Sequence, residues 1–235
     1  MKVLGLDSAT VACSAAVCDG GMLLSRRYEE MARGQSEALM PMVEDVMAEA
    51  GLRAGDLDLI AVTIGPGAFT GLRIAIATAV GLSLASGVNA AGVTTMEALA
   101  YAAKTQPQAA GTRQLVTALD SRRDDIYMQV FSEDGRALGD VEAVASDGLG
   151  AWAAGFGFKG PVTLIGDAAD RVEGLARLHG LSVQPDFAHS IPDAQHVAAL
   201  AADKMAKGLP LRELRPLYLR PPDAVVPKHG GRLRA

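Results

Sequence analysis

Three short stretches carry residue types that could do chemistry. Asp7-Ser8-Ala9-Thr10 and Asp120-Ser121 each end an apolar run on a carboxylate followed by a hydroxyl. Between them, Ile64-Gly65-Pro66-Gly67-Ala68-Phe69-Thr70-Gly71-Leu72-Arg73 places glycines at 65, 67 and 71 between an apolar run and an uncharged stretch. Gly65 and Gly67 permit positive φ and close backbone approach, and Pro66 fixes the first bend. Thr70 stands where it would cap the next helix, whose first N–H groups would then point back into the loop. Two readings stay open: a site for a phosphate-type anion, or a tight strand-to-helix turn whose glycines serve packing. No Gly-Lys-Ser/Thr follows, so the loop is not a P-loop.

Other chemistries lack residues. His179, His189, His196 and His229 include no i, i+4 pair, so no helical metal-binding pair exists. No Ser-His-Asp spacing supports a nucleophile. Cys13 and Cys18 stand an odd number of residues apart in one expected strand, pointing to opposite faces. That argues against a shared metal or an unstrained local disulfide and for reduced thiols in a cytoplasmic protein. The expectation is no catalytic residue and no metal. Asp7 interrupts the apolar start too early for a signal peptide. The net charge of −5 argues against a chain that grips nucleic acid alone. Arg212, Arg215 and Arg220, with Lys228, Arg232 and Arg234 near the C-terminus, are local exceptions that read as solvated charge.

The elements that must position these residues follow from patterning. Strands are expected over 3–6 and 12–17, a turn at Asp19-Gly20-Gly21, and a strand over 22–28. A helix runs from Gln35 to about Gly51, with Leu39, Val43, Val46 and Ala50 as its core stripe. Met40, Met42 and Met47 widen the stripe, suiting either extra core packing or a partner. Pro41 lies early enough to be tolerated. After a strand over 59–64 comes a helix over 70–86. Residues 74–96 carry no charge and are long enough to cross a bilayer, but Gly81, Gly87, Asn89 and Gly92 break the run. Leu72, Ile76 and Val80 should face the chain's own sheet; Ile74, Ala77, Thr78, Gly81 and Ala85 lie roughly opposite. A helix apolar all round is buried all round, so a second chain is the expected cover for its small-residue face. A strand over 89–93 and a helix capped by Thr94 or Thr95 complete the first half.

The second half repeats the first in outline. An apolar strand ends at Asp120-Ser121, a second strand turns at Asp134-Gly135, Val162-Thr-Leu-Ile-Gly166 echoes Val62-Thr-Ile-Gly65, and Ser190-Ile-Pro-Asp193 introduces a helix. The ordered set predicts two related α/β lobes, 1–104 and 105–193, with the boundary in the polar segment 105–111. A helix in 194–220 should return across the junction, and 221–235 reads as a flexible tail.

Two lobes that each open on an Asp-terminated hairpin resemble the actin-like ATPase (ribonuclease H-like) architecture. More closely, Gly5-Leu-Asp-Ser-Ala-Thr10, Gln35-Ser-Glu37, Gly65-Pro-Gly-Ala-Phe-Thr-Gly-Leu-Arg-Ile74, Thr95-Met-Glu-Ala-Leu99 and Ala118-Leu-Asp-Ser-Arg122 resemble the TsaB (YeaZ) family of tRNA threonylcarbamoyladenosine biosynthesis proteins. Gln35 stands where that family often has His, and Ala68 where Ser is usual. The resemblance implies a cleft flanked by Asp7 and Asp120, the acids that handle magnesium in active kinases of this architecture. Neither hairpin here has the glycine-rich phosphate turn of the active ATPases, so Asp7, Ser8, Thr10, Gly65, Gly67, Gly71, Asp120 and Ser121 read as vestigial phosphate-type loops. It implies a non-catalytic partner of the TsaD transferase, linked to TsaE through the complex, homodimeric when alone, meeting tRNA indirectly and having no membrane. It implies no cofactor for this chain, ATP being used by the wider complex. The partner surface would comprise Met40, Met47, Thr70, Ile74, Ala77, Thr78, Gly81 and Ala85. The alternative is an ATP-dependent phosphotransferase or ATPase using Asp7 and the 65–71 loop. A metalloprotease fails for want of ligands.

Overall fold

The computed structural model describes residues 1–104, 114–158, 161–186 and 190–220. The expected boundary at 105–111, the tail from 221, His189 and His229 lie outside the described residues. The first half builds β1 (Lys2–Asp7), β2 (Ala12–Asp19), β3 (Met22–Glu30), α1 (Gln35–Glu49), β4 (Leu59–Thr63), α2 (Phe69–Ser86), β5 (Ala90–Val93) and α3 (Thr95–Lys104). The second builds β6 (Gln114–Asp120), β7 (Asp125–Ser132), β8 (Glu142–Ala145), α4 (Leu149–Phe156), β9 (Val162–Ile165), α5 (Ala169–Leu178), β10 (Val183–Asp186) and α6 (Ala194–Ala206).

These form two five-stranded mixed sheets, ordered β3-β2-β1-β4-β5 and β8-β7-β6-β9-β10. In each, the opening strand pairs antiparallel with the second and parallel with the fourth, and the fifth adds in parallel. The hairpins are antiparallel to their third strands in both. The repeat in the sequence is therefore a repeat of topology.

Local chemistry sets the ends of these elements. Gly20 and Gly21 both adopt positive φ, 57° and 85°, giving the tight turn that joins β2 to β3. Thr94 and Glu97 form a reciprocal cap on α3: the Glu97 carboxylate accepts from the Thr94 N–H at 2.9 Å, and Thr94 Oγ1 accepts from the Glu97 N–H at 3.0 Å. Asp193 caps α6 by accepting from the Gln195 N–H.

Sheet one is covered on both faces. Leu4, Leu6, Val17 and Val62 meet Leu39, Val43 and Val46 of α1 and Ala75, Ile76 and Ala79 of α2. On the other face Val3, Leu59 and Ala61 meet Ala98 of α3 and Val197, Ala198 and Ala201 of α6. Cys13 and Cys18 fall into these two opposite cores, as their spacing requires. α6 lies along β1 so closely that a Cβ on Gly5 would stand 2.1 Å from the Ala194 carbonyl oxygen. α3 joins the halves: its Met96, Leu99 and Ala103 pack against Leu115, Leu119, Phe131 and Ile165 of sheet two.

After α6 the chain forms a strap. Arg212 makes a two-bond antiparallel bridge with Gly92 on the edge strand β5, and the Leu217 N–H donates to the Ile64 carbonyl at 2.7 Å. Beyond it, the Arg220 guanidinium pairs with Asp125 at the start of β7. The strap thus ties the end of sheet one to sheet two.

Candidate functional site

The glycine loop is a packed turn. Gly65 holds φ 113°, a left-handed value open to glycine, and leads β4 into α2. A Cβ on Gly67 would stand 2.2 Å from the Ala9 carbonyl oxygen, and one on Gly71 would stand 1.9 Å from that of Ser8. The β1–β2 turn is therefore pressed into the loop. The Ala68 N–H donates to the Ala9 carbonyl at 2.6 Å, and the Ser8 hydroxyl donates to the Gly71 carbonyl at 2.8 Å. The space in which a phosphate could meet the loop at these residues holds protein backbone. Helix α2 starts at Phe69 with Ala68 in the cap position and no side-chain cap, so Thr70 is exposed in the first turn and does not cap.

The two aspartates differ in setting, contrary to the expectation that both flank the cleft. Register explains it. Leu6 pairs with Val62, placing Asp7 beside Thr63 inside the sheet. Thr117 already pairs with Ile165, the last residue of β9, so Asp120 overhangs the strand end. Asp7 is fully buried, accepting from the Thr63 hydroxyl and the Ala9 N–H on Oδ1 while Oδ2 has no partner. Burial pushes its carboxyl up to about 7, against the hydrogen bonds from Thr63 and Ala9 and helped by the nearby Asp193. Asp120 is part-exposed, accepting from the Arg122 N–H at 2.8 Å while its own N–H donates to Asp167 Oδ1 at 2.8 Å. Burial, then the neighbouring Asp120, raises the carboxyl of Asp167. Ser121 is committed locally: its hydroxyl lies 2.7 Å from Asp125 Oδ1 and 2.6 Å from the Asp125 carbonyl.

Between the halves lies a cleft of about 650 Å³. Thr10, Gly67, Asp120 and Ser121 line it; Asp7, Ser8, Gly65 and Gly71 do not. Its charge comes from residues that sequence reasoning did not gather: Arg73, Arg122, Arg123 and Arg220, facing Asp120 and Asp167. Tyr127 and Tyr218 add aromatic surface, and Leu217–Arg220 of the strap form one wall. The run Pro216-Leu-Tyr-Leu-Arg220, aromatic and apolar just beyond a helix, was the available signal for the strap.

Helix α2 presents a second feature. Its length and mean hydropathy of 1.5 match a membrane span, yet Gly71, Leu72, Ala75, Ile76 and Ala79 are buried against this chain. Val80, expected on that face, is 37% exposed. At about 100° per residue it lies about 80° round from Leu72, and the closely approaching face is centred on Ala75 and Ala79 instead. Thr70, Ala77, Gly81 and Ala85 are exposed, and Ile74 and Thr78 half-buried. A Cβ on Gly81 would meet nothing within 4 Å. Leu84, which sequence reasoning did not single out, is 81% exposed. On the neighbouring α1, Met40 is exposed as expected of a rim. Met47 is corrected: it packs into the core beneath α1, facing the sheet from the turn after Val43.

Among the described residues, no three His, Cys, Asp or Glu side chains are grouped to hold a metal ion.

Comparison with known proteins gives a consistent result. Residues 28–210 match the family model for TsaD, tRNA N6-adenosine threonylcarbamoyltransferase. The chain is 27% identical over 234 residues to the tRNA threonylcarbamoyladenosine biosynthesis protein TsaB of Escherichia coli K12, covering 94% of this chain and 95% of that one. It is 32% identical over 226 residues to an uncharacterised protein of Mycobacterium tuberculosis H37Rv, covering 94% and 93%. Among solved structures, YeaZ from Pseudomonas aeruginosa matches with a TM-score of 0.73 and 27% identity, over 93% of this chain and 99% of that one. The activator of the 2-hydroxyisocaproyl-CoA dehydratase from Clostridium difficile, at TM-score 0.50 and 14% identity over 88% and 97%, shares the actin-like ATPase fold. With its two mixed sheets in the actin-like arrangement, the chain belongs to the TsaB (YeaZ) family.

Proposed function

We propose that this chain is a non-catalytic subunit that docks on TsaD and activates its threonylcarbamoyl transfer to tRNA adenosine. The observation that carries this reading is the uncovered face of α2: a charge-poor surface of Ala77, Gly81 and Ala85 with Val80 and Leu84 beside it. Small residues let a partner helix approach closely, and exposed aliphatic side chains beside them give that approach apolar area to bury. The relatives' names supply the pathway, and the match to the TsaD family model supplies a partner of related fold, able to present a comparable helix pair. In this reading the same face meets itself across a twofold when TsaD is absent. TsaE joins through the complex, which uses the ATP. The chain itself needs no cofactor, meets tRNA indirectly, and works in the cytoplasm.

The phosphotransferase reading loses its central residue, because Asp7 is sealed in the sheet and the Ser8 and Ala9 carbonyls fill the glycine turn. In a phosphoryl-transfer enzyme a magnesium-positioning acid is worth orders of magnitude in rate. The test uses purified protein, ATP–magnesium and TsaD from the same organism. ATP turnover and tRNA modification should require TsaD, and Asp7→Asn or Asp120→Asn should change the modification rate only a few-fold. Ala77→Arg should abolish co-elution with TsaD on size exclusion while the variant stays folded. ATP turnover by the chain alone, lost in a folded Asp7→Asn variant, overturns the reading.

A further inference from the structure

The uncovered stripe of α2 does not end in apolar residues. Phe69, Arg73, Ala77, Val80 and Leu84 follow one another at helical spacing, all exposed. At the first turn the stripe meets the strap: the rings of Phe69 and Tyr218 stack with centroids 5.6 Å apart and planes inclined by 26°. The Arg73 guanidinium lies 3.7 Å above the Phe69 ring, and its Nε donates to the Tyr218 hydroxyl at 2.9 Å. Both rings remain about half exposed, 51% for Phe69 and 45% for Tyr218. The strap holds this cluster in place through Leu217 on Ile64 and Arg220 on Asp125.

Arg73 is oriented by two rings and one hydroxyl, yet among the described residues no carboxylate stands within salt-bridge distance of it. Helix α2 contains no acidic residue. A guanidinium fixed in this way has lost its rotamer freedom in advance and keeps terminal N–H donors for a carboxylate. Aromatic and arginine side chains grouped at one end of an apolar patch have the make-up of an interface anchor. In the cleft behind the cluster Arg122 pairs with Asp120 and Arg220 with Asp125, so these cations already have their carboxylates. The favoured place for negative charge is therefore outward, over Arg73, on the side from which a chain lying along α2 would arrive.

We propose that Phe69, Arg73 and Tyr218 form an anchor for an acidic side chain of the protein partner that docks on α2. This rests on the docking reading above and adds the chemistry of the contact: small-residue packing along Ala77–Gly81, and one carboxylate of the partner held at the Phe69 end. The strap is then a positioning element of the interface.

The experiment measures association of the full chain with TsaD by calorimetry in 50 and 300 mM NaCl, for wild type, Arg73→Gln, Arg73→Lys, Tyr218→Phe and Ala77→Arg, with thermal melting of each. The expected result is at least a tenfold loss for Arg73→Gln at low salt, with most of the salt dependence gone, as removal of one partner of an ion pair predicts. Arg73→Lys should keep the salt dependence and lose less, because the charge stays and the fork is lost. Tyr218→Phe, which keeps the ring, should lose less than threefold. If Ala77→Arg abolishes association while Arg73→Gln costs less than threefold, the anchor is overturned and the docking reading stands. If neither variant matters, both fall. Binding of ADP or pyrophosphate to the chain alone, lost in Arg73→Gln, overturns the proposal by assigning Arg73 to a small phosphate ligand.

Discussion

Asp7, opposite the last residue of β4, and Asp120, three residues past the end of β9, show how register separates chemistry from structure. Beside Thr63, Asp7 is fully buried, and burial raises its carboxyl to about 7 from an ordinary value near 4. A folded-state pKa above the unfolded one means that the folded chain binds this proton more tightly. The resulting stability is complete below about pH 4, falls as pH rises toward 7, and is absent above. A gap of about three units corresponds to on the order of 4 kcal/mol. Asp7→Asn, uncharged throughout, should remove that slope: urea unfolding at pH 5 and pH 8 should show wild type losing about 2–3 kcal/mol that the variant keeps. Equal slopes in both proteins would refute the account. The thiols behave alike, since burial lifts Cys13 to about 12 and Cys18 to about 11 and leaves both protonated. The Asp-Ser endings at 7 and 120 were legible in the sequence; their opposite exposure was not. Exposure depends on how far each strand extends past its parallel neighbour, a pairing between distant segments that no local pattern encodes.

At the scale of elements, α2 and its glycine turn were the most legible part of the chain and also the most instructive misreading. Length, break points and an uncovered face followed from the uncharged run, and the observed helix differs from expectation by one residue at its start. The sequence places Leu72, Ile76 and Val80 inward; Leu72 and Ile76 are buried there with Ala75 and Ala79, and Val80 alone is not. Large side chains direct a helix inward only where there is room, and here the helix seats closely on β4 through small ones. The glycines divide by the same criterion. Gly71 faces the Ser8 carbonyl with no space, while Gly81 faces open space inside a helix. Gly71→Ala should therefore lower stability by several kcal/mol, since backbone must move to admit the methyl group. Gly81→Ala should raise it by about 1 kcal/mol, the helix-propensity difference, or about 2–4 °C in melting temperature for a chain of this size. Melting curves of the two variants measured side by side decide this. A tolerated Gly71→Ala would mean that the β1–β2 turn is not pressed into the loop.

The whole molecule is a repeat closed by parts that do not repeat. Duplicated strand order was visible as a duplicated sequence of weak signals because each signal sits at a turn or cap, where local chemistry decides. The strap was harder to read for the opposite reason: 211–220 has no period, and beyond the aromatic and apolar run at 216–220 its meaning lies in contacts with Gly92, Ile64 and Asp125, each remote in sequence. It covers the edge of β5 at Gly92 and ends on a carboxylate that is only 5% exposed. Removing Arg220 leaves that carboxylate buried beside Ser121 with its cation gone, which costs more than the pair contributes while intact. Arg220→Ala should therefore destabilise the chain by about 2–4 kcal/mol, discounted from the fully buried case because the Arg220 side chain is 36% exposed. Adding Asp125→Ala should recover part of that loss, giving a coupling of about 1 kcal/mol or more in the double-mutant cycle. The strap end should also open locally before the sheets unfold, because its remaining hold beyond Leu217 is the Phe69–Tyr218 stack. Limited proteolysis should then cut Arg220→Ala near the strap under conditions where wild type resists, with both sheets surviving as one fragment. Unchanged proteolysis together with additive energetics would show that sheet two is held by α3 alone, and that the strap follows the cleft without closing it.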